Sequence, residues 1–270
     1  MNLNEKAGIL IEALPYIKKY QNKKVVIKFG GNAMGEMMHV IEDIVLLKSL
    51  GIKPIVVHGG GPEVDNEMQK MKIEPKFIGG LRYTDESIIK VVEKVFNKIN
   101  NEIVGNIKAH NAKSVNANGC IKVKQKDEKL GLVGEITEIN KDAISKLVNR
   151  SYIPVISPLG KGEDGKTYNI NADTVAAYLA VKLKAEKLTI LTNVDGVVLS
   201  KKHVSHLNFN TAEKEIKKCN INRGMIPKVE ACIYAVKHKC PKAHLINGLV
   251  HHSLLLEIFT DKGVGTEIVP

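Results

Sequence analysis

Two short apolar runs that end in glycines constrain the fold of this 270-residue chain more than any other feature. The first is KKVVIKFGG at residues 23–31, the second is PIVVHGGG at residues 54–61, and the amphipathic segment IEDIVLLKSL lies between them. A strand, a helix and a strand with short connections form a parallel βαβ unit. We therefore predict an α/β fold in which two glycine-rich turns follow neighbouring parallel strands.

The rest of the chain continues this pattern. Strands are predicted in YIPVISPL, KLTILTNVDGVVL, AHLING and GTEIV, and helices in DESIIKVVEKVFNKINNEIVGNI, NADTVAAYLAVKL and IPKVEACIYAVKHK. Apolar residues at positions 3, 7, 10, 14 and 17 predict one further helix before the first strand. Short runs within residues 111–140 predict hairpins at the edge of a sheet. No repeat or low-complexity linker divides the chain, so we expect two lobes on one continuous sheet.

Cysteine usage and the amino terminus indicate the compartment. The cysteines Cys120, Cys219, Cys232 and Cys240 form no CxxC pair, which favours free thiols in a reducing compartment. The amino terminus, MNLNEKAGILIEAL, contains acidic residues and no cleavable apolar core. No run approaches the ~20 apolar residues that span a bilayer. We therefore expect a cytoplasmic protein that has no membrane partner.

The positive net charge does not by itself identify a partner. The chain has 40 Lys and Arg against 29 Asp and Glu, a formal net charge of +11. The lysines are scattered as pairs, and aromatic residues make up only 4% of the chain. Nucleic-acid surfaces combine clustered positive charge with aromatic side chains. We therefore expect a solvated, lysine-rich surface and no nucleic-acid partner.

One segment matches a phosphate-binding motif by letters alone. Residues 160–167, GKGEDGKT, satisfy both GxxxxGK[ST] and GxGxxG. In a P-loop the Lys-Thr pair opens a helix, but here Thr167 leads into an alternating, strand-like run. Glu163 and Asp164 would also put negative charge inside the phosphate nest, and Asp-Gly favours a hairpin turn. We therefore predict a β-hairpin at this segment.

Glycines after the first two strands predict an anion site. Lys28 precedes Gly30 and Gly31, and His58 precedes the run 59–61. Backbone amides of glycine can approach a phosphate closely, and lysine supplies a full positive charge. Ligands of open α/β sheets gather beyond the carboxyl ends of the strands. We therefore expect both turns to face one crevice.

Two later segments could complete such a site. Asn169, Asn171 and Asp173 open a predicted helix, and an ordinary N-cap accounts for only one of them. Lys228 falls in the first turn of another predicted helix, where its charge opposes the helix dipole unless an anion lies there. Lys228 is therefore a candidate phosphate ligand.

Several segments together resemble the amino acid kinase family. In chain order they are IKFGGNAM, VVHGGGPEVD, GGLRYTD, YNINADTVAAYLA, LTNVDGV, GMIPKVEAC and LLLEIFTDKGVGTEI, and they span nearly the whole chain. Paired glycines are shared with the carbamate, aspartate, glutamate and uridylate kinases of that family. GGLRYTD together with YNINAD is more particular to the N-acetylglutamate kinases.

The resemblance implies a fold and a reaction. The implied fold is a carbamate kinase-like, three-layer αβα sandwich around a mostly parallel open sheet. Residues 1–20 would form an oligomerisation helix, residues 21–170 a substrate-binding lobe and residues 171–270 a nucleotide-binding lobe. The implied reaction is ATP-dependent phosphorylation of the γ-carboxylate of N-acetyl-L-glutamate in arginine biosynthesis, with Mg²⁺ accompanying ATP.

The resemblance also implies roles for individual residues. Lys28 and Lys228 would neutralise the transferring phosphoryl group and the β-phosphate leaving oxygen, and Asp173 would hold both lysines. The implied substrate-binding residues are Gly60, Gly61, Arg82 and Asn169. The implied nucleotide-binding residues are Gly30, Gly31, Asn193, Val194, Asp195, Gly196, Gly224 and Met225. No residue is implied as a metal ligand.

The chemistry of the implied substrate agrees with these roles. A γ-carboxylate with a pKa of ~4.3 is already ionised at pH 7, so the reaction needs no general base. Asp173 is therefore expected to organise the lysines. His58, beside the glycines, is expected to be a structural hydrogen-bonding residue.

The amino-terminal helix suggests regulation. It resembles the extension of arginine-inhibited, hexameric acetylglutamate kinases, and Lys187, Ser205, Glu257 and Gly265 fall where their arginine site would lie. Glu257 would pair with the guanidinium or ammonium group of arginine. We therefore expect a hexamer that is feedback-inhibited by L-arginine. The alternative is a helix that only covers its own domain.

Three other functions stay open at this point. Another amino acid kinase acting on a different acidic metabolite would keep Lys28, Lys228 and Asp173 without needing Arg82 and Asn169. A P-loop nucleotidase would depend on Lys166. A silent binding protein of the same fold would bind ATP or arginine without turnover.

Overall fold

The computed structural model describes residues 2–30, 37–222, 224–260 and 263–270. Its helices are α1 Leu3–Tyr20, α2 Met37–Ser49, α3 Gly61–Lys70, α4 Glu86–Ala109, α5 Lys141–Asn149, α6 Ala172–Lys182, α7 Phe209–Lys217, α8 Ile226–Lys237 and α9 Ser253–Phe259. Its strands are β1 Lys24–Phe29, β2 Lys53–His58, β3 Phe77–Ile78, β4 Leu81–Arg82, β5 Ser114–Asn116, β6 Ile121–Gln125, β7 Gly134–Ile139, β8 Ile153–Ile156, β9 Leu159–Gly162, β10 Thr167–Asn169, β11 Lys187–Thr192, β12 Val197–Leu199, β13 Lys202–Val204, β14 His206–Asn208, β15 Ala243–Asn247 and β16 Thr266–Val269.

An eight-stranded sheet in the order β14-β16-β15-β11-β1-β2-β8-β5 forms the centre of the molecule. All neighbouring strands are parallel except β15 and β16. In β1 and β2 every residue after the first is buried, as expected for parallel strands covered on both faces. Helices α6 and α8 pack together against the sheet, while α2 packs against β2, α4 and α9. The predicted mostly parallel α/β fold is confirmed.

The hairpin predicted within residues 111–140 exists, and it lies at the edge of a sheet, as predicted. Strands β6 and β7 pair antiparallel and belong with β9 and β10 to a separate four-stranded sheet, in which β7 is the edge strand. In the main sheet, β5 is the edge strand next to β8. Buried and exposed residues largely alternate along β6 and β7, which suits a sheet with one solvated face rather than a doubly covered one.

The segment 160–167 is a β-hairpin, as predicted. Strands β9 and β10 pair antiparallel across it, with Gly165 at φ 76° in the turn. The Asp164 carboxylate accepts a hydrogen bond from the amide of Lys166 at 3.0 Å. Helix α6 begins only at Ala172, so Lys166 and Thr167 do not open a helix as a P-loop requires, and the P-loop interpretation was wrong.

Helix α1 leaves much of its apolar surface exposed. Leu10 is 72% exposed and Ile11 69% exposed. Among the side chains of α1 whose burial is described, only that of Tyr20 is buried, and the helix packs against α9. Within the described residues, no helix combines the length and apolar character that a membrane crossing needs.

Candidate active site

Three residues from distant parts of the chain meet at an ion-paired triad. Lys28 lies near the carboxyl end of β1, Asp173 in the first turn of α6 and Lys228 in the first turn of α8. The Lys28 Nζ lies 2.8 Å from Asp173 Oδ1, and the Lys228 Nζ lies 3.7 Å from Asp173 Oδ2. The structure thus places both predicted lysines on one predicted carboxylate.

Local structure fixes the positions of the triad. The Asn171 side chain caps α6 by accepting a hydrogen bond from the Thr174 amide at 3.0 Å, which leaves Asp173 in the first turn. There the carboxylate is favoured by the helix dipole, whereas the ammonium group of Lys228 opposes the dipole of α8. Because α6 and α8 pack together, the carboxylate of Asp173 lies close enough to offset that unfavourable position.

The triad carries a net positive charge in a buried setting. Asp173 and Lys28 are only 4% and 6% exposed. Burial alone would raise the pKa of Asp173, but the ammonium charges of Lys28 and Lys228 outweigh it and hold the pKa below its ordinary value. One carboxylate therefore faces two ammonium groups, and the remaining positive charge suits an anionic ligand.

A first cavity of about 260 Å³ opens beside the triad. All four predicted substrate-binding residues line it together with Lys28 and Asp173; they are Gly60, Gly61, Arg82 and Asn169. Arg82 Nη1 donates to Asp65 Oδ1 at 2.6 Å, and its guanidinium lies 4.9 Å from the centre of the Phe77 ring. Its planar donor group is therefore held at the cavity wall, where it suits recognition of a carboxylate.

The two glycine turns approach each other closely at one end of this cavity. A Cβ on Gly30 would lie 2.6 Å from the Gly59 Cα, so only glycine permits the contact. Gly60 has φ 152°, a conformation that other residues rarely adopt. Gly31 was also predicted to contribute here, but it lies outside the described residues.

A buried polar network beneath the second turn was not predicted in detail. The His58 Nδ1 lies 2.7 Å from the carbonyl oxygen of Gly59, and its Nε2 lies 2.9 Å from Ser157 Oγ. The carbonyl can only accept, so Nδ1 carries the proton and Nε2 accepts from Ser157. Asn100 and Asn118 donate to the same Ser157 oxygen at 3.2 and 3.0 Å. Burial lowers the pKa of His58 to about 4, so the ring is neutral at pH 7.

This network determines the direction of a glycine amide. In a trans peptide the C=O and N–H bonds point in opposite directions. Since His58 anchors the Gly59 carbonyl, the next amide, that of Gly60, points away from the imidazole. Gly60 lines the first cavity, so the network favours an amide donor directed at a bound anion.

Lys228 lines a second cavity, of about 350 Å³. Most of the predicted nucleotide-binding residues line it, namely Asn193, Val194, Gly196, Gly224 and Met225. Asp195 does not line it. Its carboxylate accepts a hydrogen bond from Asn247 Nδ2 at 2.8 Å, and its carbonyl lies 2.9 Å from His203 Nε2. The side chain of Asp195 therefore holds the turn in place.

A third cavity, of about 360 Å³, lies away from the triad, beside α1. The four residues predicted for arginine, Lys187, Ser205, Glu257 and Gly265, all line it. Glu257 Oε1 lies 2.7 Å from both the Lys187 Nζ and the His244 Nε2. Burial would raise the pKa of Glu257, but hydrogen bonding and charge from His244 and Lys187 lower it to about 2. His244 and Glu267 also line this cavity and were missed from the sequence.

The sequence matches the amino acid kinase family over residues 23–247. This chain belongs to the amino acid kinase family. Acetylglutamate kinase from Caldanaerobacter subterraneus subsp. tengcongensis is 48% identical to it, over 97% of this chain and 93% of that protein. Acetylglutamate kinase from Methanosphaera stadtmanae is 46% identical, over 97% of this chain and 96% of that protein. The predicted family resemblance is thereby confirmed.

Solved structures share the fold of this amino acid kinase. N-acetylglutamate synthase from Neisseria gonorrhoeae, complexed with coenzyme A and N-acetyl-glutamate, superposes with a TM-score of 0.91 at 24% identity. That match covers 98% of this chain but only 63% of the synthase chain. Carbamate kinase from Giardia lamblia bound to AMP-PNP gives a TM-score of 0.72 at 18% identity, over 92% of this chain and 98% of that chain. At these identities the likeness concerns the fold alone.

The role of the Gly59 anchor can be tested with two substitutions of one residue. His58→Asn keeps an amide donor where Nδ1 lies, whereas His58→Gln places its amide toward Ser157. We expect kcat to be about tenfold lower in His58→Gln than in His58→Asn, because only asparagine can still direct the Gly60 amide. Steady-state kinetics and thermal melting measure this, and an equal loss of kcat at equal stability would contradict the anchor.

Proposed function

We infer that this chain transfers the γ-phosphoryl group of ATP to the γ-carboxylate of N-acetyl-L-glutamate, giving N-acetyl-L-glutamyl 5-phosphate, a step of arginine biosynthesis. The observation that carries the inference is the position of the Lys28–Asp173–Lys228 triad between the first and second cavities. The acetylglutamate kinases that it resembles over nearly its whole length support the choice of acceptor.

The first cavity suits the acceptor. Arg82 offers a planar pair of N–H donors to the α-carboxylate, and Asn169 offers an amide to the substituents on the α-carbon. The Asn169 side chain is held at the cavity wall by a 3.3 Å hydrogen bond to Thr84 Oγ1. These contacts would leave the γ-carboxylate directed toward the glycine turns and Lys28.

The second cavity would place ATP with its phosphates toward the triad. Phosphoryl transfer between two anions requires their positioning in line and neutralisation of their repulsion. Lys28 would neutralise charge on the transferring group, and Lys228, whose side chain is 24% exposed, would reach the leaving oxygen of the β-phosphate. The amides of Gly60 and Gly61 would donate to oxygens on which charge develops. Because the acceptor is already ionised, no residue needs to remove a proton.

Mg²⁺ is expected to arrive with ATP. The triad does not suit direct coordination, since both oxygens of Asp173 face ammonium groups. Mg²⁺ commonly retains several waters and binds through substrate phosphates, and when bound it would offset phosphate charge. The lysines and glycine amides would then complete the neutralisation.

A substrate panel with one pair of lysine variants tests the proposal. We expect ADP release with N-acetyl-L-glutamate to exceed that with glutamate or aspartate by at least about a hundredfold, since a glutamate lacking the acetyl group leaves polar groups of the site unpaired. Lys28→Ala should lower kcat by about 10²–10³-fold by removing one charge donor. Lys166→Ala, at the hairpin, should keep kcat. A coupled ADP assay measures all of these rates.

Two results would overturn the proposal. Preference for another acidic metabolite would indicate a different amino acid kinase. Loss of turnover in Lys166→Ala with retention in Lys28→Ala would indicate nucleotide chemistry at residues 160–167.

We also propose that L-arginine binds in the third cavity and inhibits a hexamer. The cavity combines the carboxylates of Glu257 and Glu267 with the ammonium groups of Lys187 and Lys242, so it suits a ligand that has both charges. Tyr16 of α1 also lines it. The exposed apolar residues of α1 support contact with another copy of the chain, because such surface is rarely left open on a monomer.

Arginine titration and light scattering test this regulation. Glu257→Gln should raise the arginine concentration for half-inhibition at least about tenfold, because it removes the charge expected to pair with the guanidinium. Leu10→Asp should reduce the assembly from hexamer to dimer, while the control Met71→Asp, at an exposed residue of α3's carboxyl end, should not. A monodisperse wild-type dimer, or arginine without effect, would refute the proposal.

A further inference from the structure

We propose that His39, Glu42 and His252 form a binding site for one divalent transition-metal ion of the Zn²⁺ type, which joins α2 to the turn before α9. Each of the three residues offers one ligand atom, and these atoms lie within 4.8 Å of one another. The cluster is separate from the triad and from the three cavities described above.

The fold brings these side chains together from both ends of the chain. His39 and Glu42 lie three residues apart on α2, on one face of the helix. His39 Nδ1 lies 3.6 Å from Glu42 Oε2. His252 is the N-cap residue of α9 and has the left-handed conformation, with φ 56°. That backbone position turns its ring toward α2, so the centre of the His39 ring lies 5.5 Å from the centre of the His252 ring.

A buried carboxylate orients the second histidine. His252 Nδ1 lies 2.6 Å from Oδ1 of Asp43, which is only 1% exposed. The carboxylate accepts the Nδ1 proton, which leaves the Nε2 lone pair available to a metal. Histidine ligands of metals usually donate their other ring N–H to a carboxylate or carbonyl in this way. Asp43 therefore acts as the outer partner and not as a ligand.

The set of ligand atoms favours zinc-type ions over magnesium or calcium. Two imidazoles and one carboxylate match zinc sites that retain an open fourth position, whereas Mg²⁺ and Ca²⁺ take oxygen ligands. Bonds of ~2.0–2.2 Å to one tetrahedral ion place ligand atoms ~3.3–3.6 Å apart. The three side chains are between 32% and 47% exposed, so modest side-chain rotation can close the set around an ion.

Binding of the metal alone tests the site. Protein stripped with a chelator and titrated with ZnCl₂ in a calorimeter should take up one Zn²⁺ per chain, and MgCl₂ should give no such site. His252→Gln and Glu42→Gln should each weaken Zn²⁺ binding at least about tenfold, and Asp43→Asn should weaken it about 10–100-fold through the orientation of His252. His238→Gln is the matched control, since His238 is exposed and its Nδ1 lies 2.8 Å from the Tyr234 carbonyl of the preceding helical turn.

A second probe excludes binding at a thiol. Co²⁺ at the proposed site should give visible d–d bands without a thiolate charge-transfer band. Such a band, or loss of binding in Cys219→Ser, would assign the metal to the exposed cysteine instead. Absence of stoichiometric Zn²⁺ uptake, or an equal loss in His238→Gln, would also overturn the proposal. Circular dichroism checks that Asp43→Asn still folds. If it does not, the variants His252→Gln and Glu42→Gln still test the site, because both side chains are partly exposed.

Discussion

The sharing of the Asp173 carboxylate between two lysines is the interaction on which the rest of the site depends. Two ammonium groups this close together would repel each other without the intervening carboxylate. The contact also connects β1, α6 and α8 at one point, because each of these elements contributes one member. The first and second cavities therefore meet at a charged group that is fixed by the packing of the main sheet and its helices.

Local patterns in the sequence predicted much of the fold. The buried strands β1 and β2, the Asn171 cap and the hairpin at residues 160–167 all depend on neighbouring residues, so their signals are visible in short windows. The place of β6 and β7 depends instead on pairing with β9, which follows later in the chain. Such non-local pairing leaves no signal in the segment itself. The division into lobes at residue 170 stays a prediction, as does the cytoplasmic location.

The site shows the same division between local and non-local information. Glycine runs and out-of-place charges indicated Lys28, Asp173 and Lys228. Asn100, Asn118 and Ser157 gave no comparable signal, because each is a single polar residue in a distant part of the chain: Asn100 lies in α4, Asn118 after β5 and Ser157 after β8. Only folding places all three beneath the Gly59 turn. The cluster at His39 and His252 was missed for the same reason, since metal-ligand spacing cannot be read across more than two hundred residues.

Helix α9 connects features that are far apart in the chain. Its N-cap residue, His252, is held by Asp43 of α2, and its Glu257 is held by Lys187 of β11. The same helix packs against α1 and α2, and α2 follows the first glycine turn in the chain. A seven-residue helix is too short to be stable through its own hydrogen bonds, so these side-chain contacts determine its position. Any ligand that alters the partners of Glu257 would therefore act on a helix that also bounds the proposed metal site.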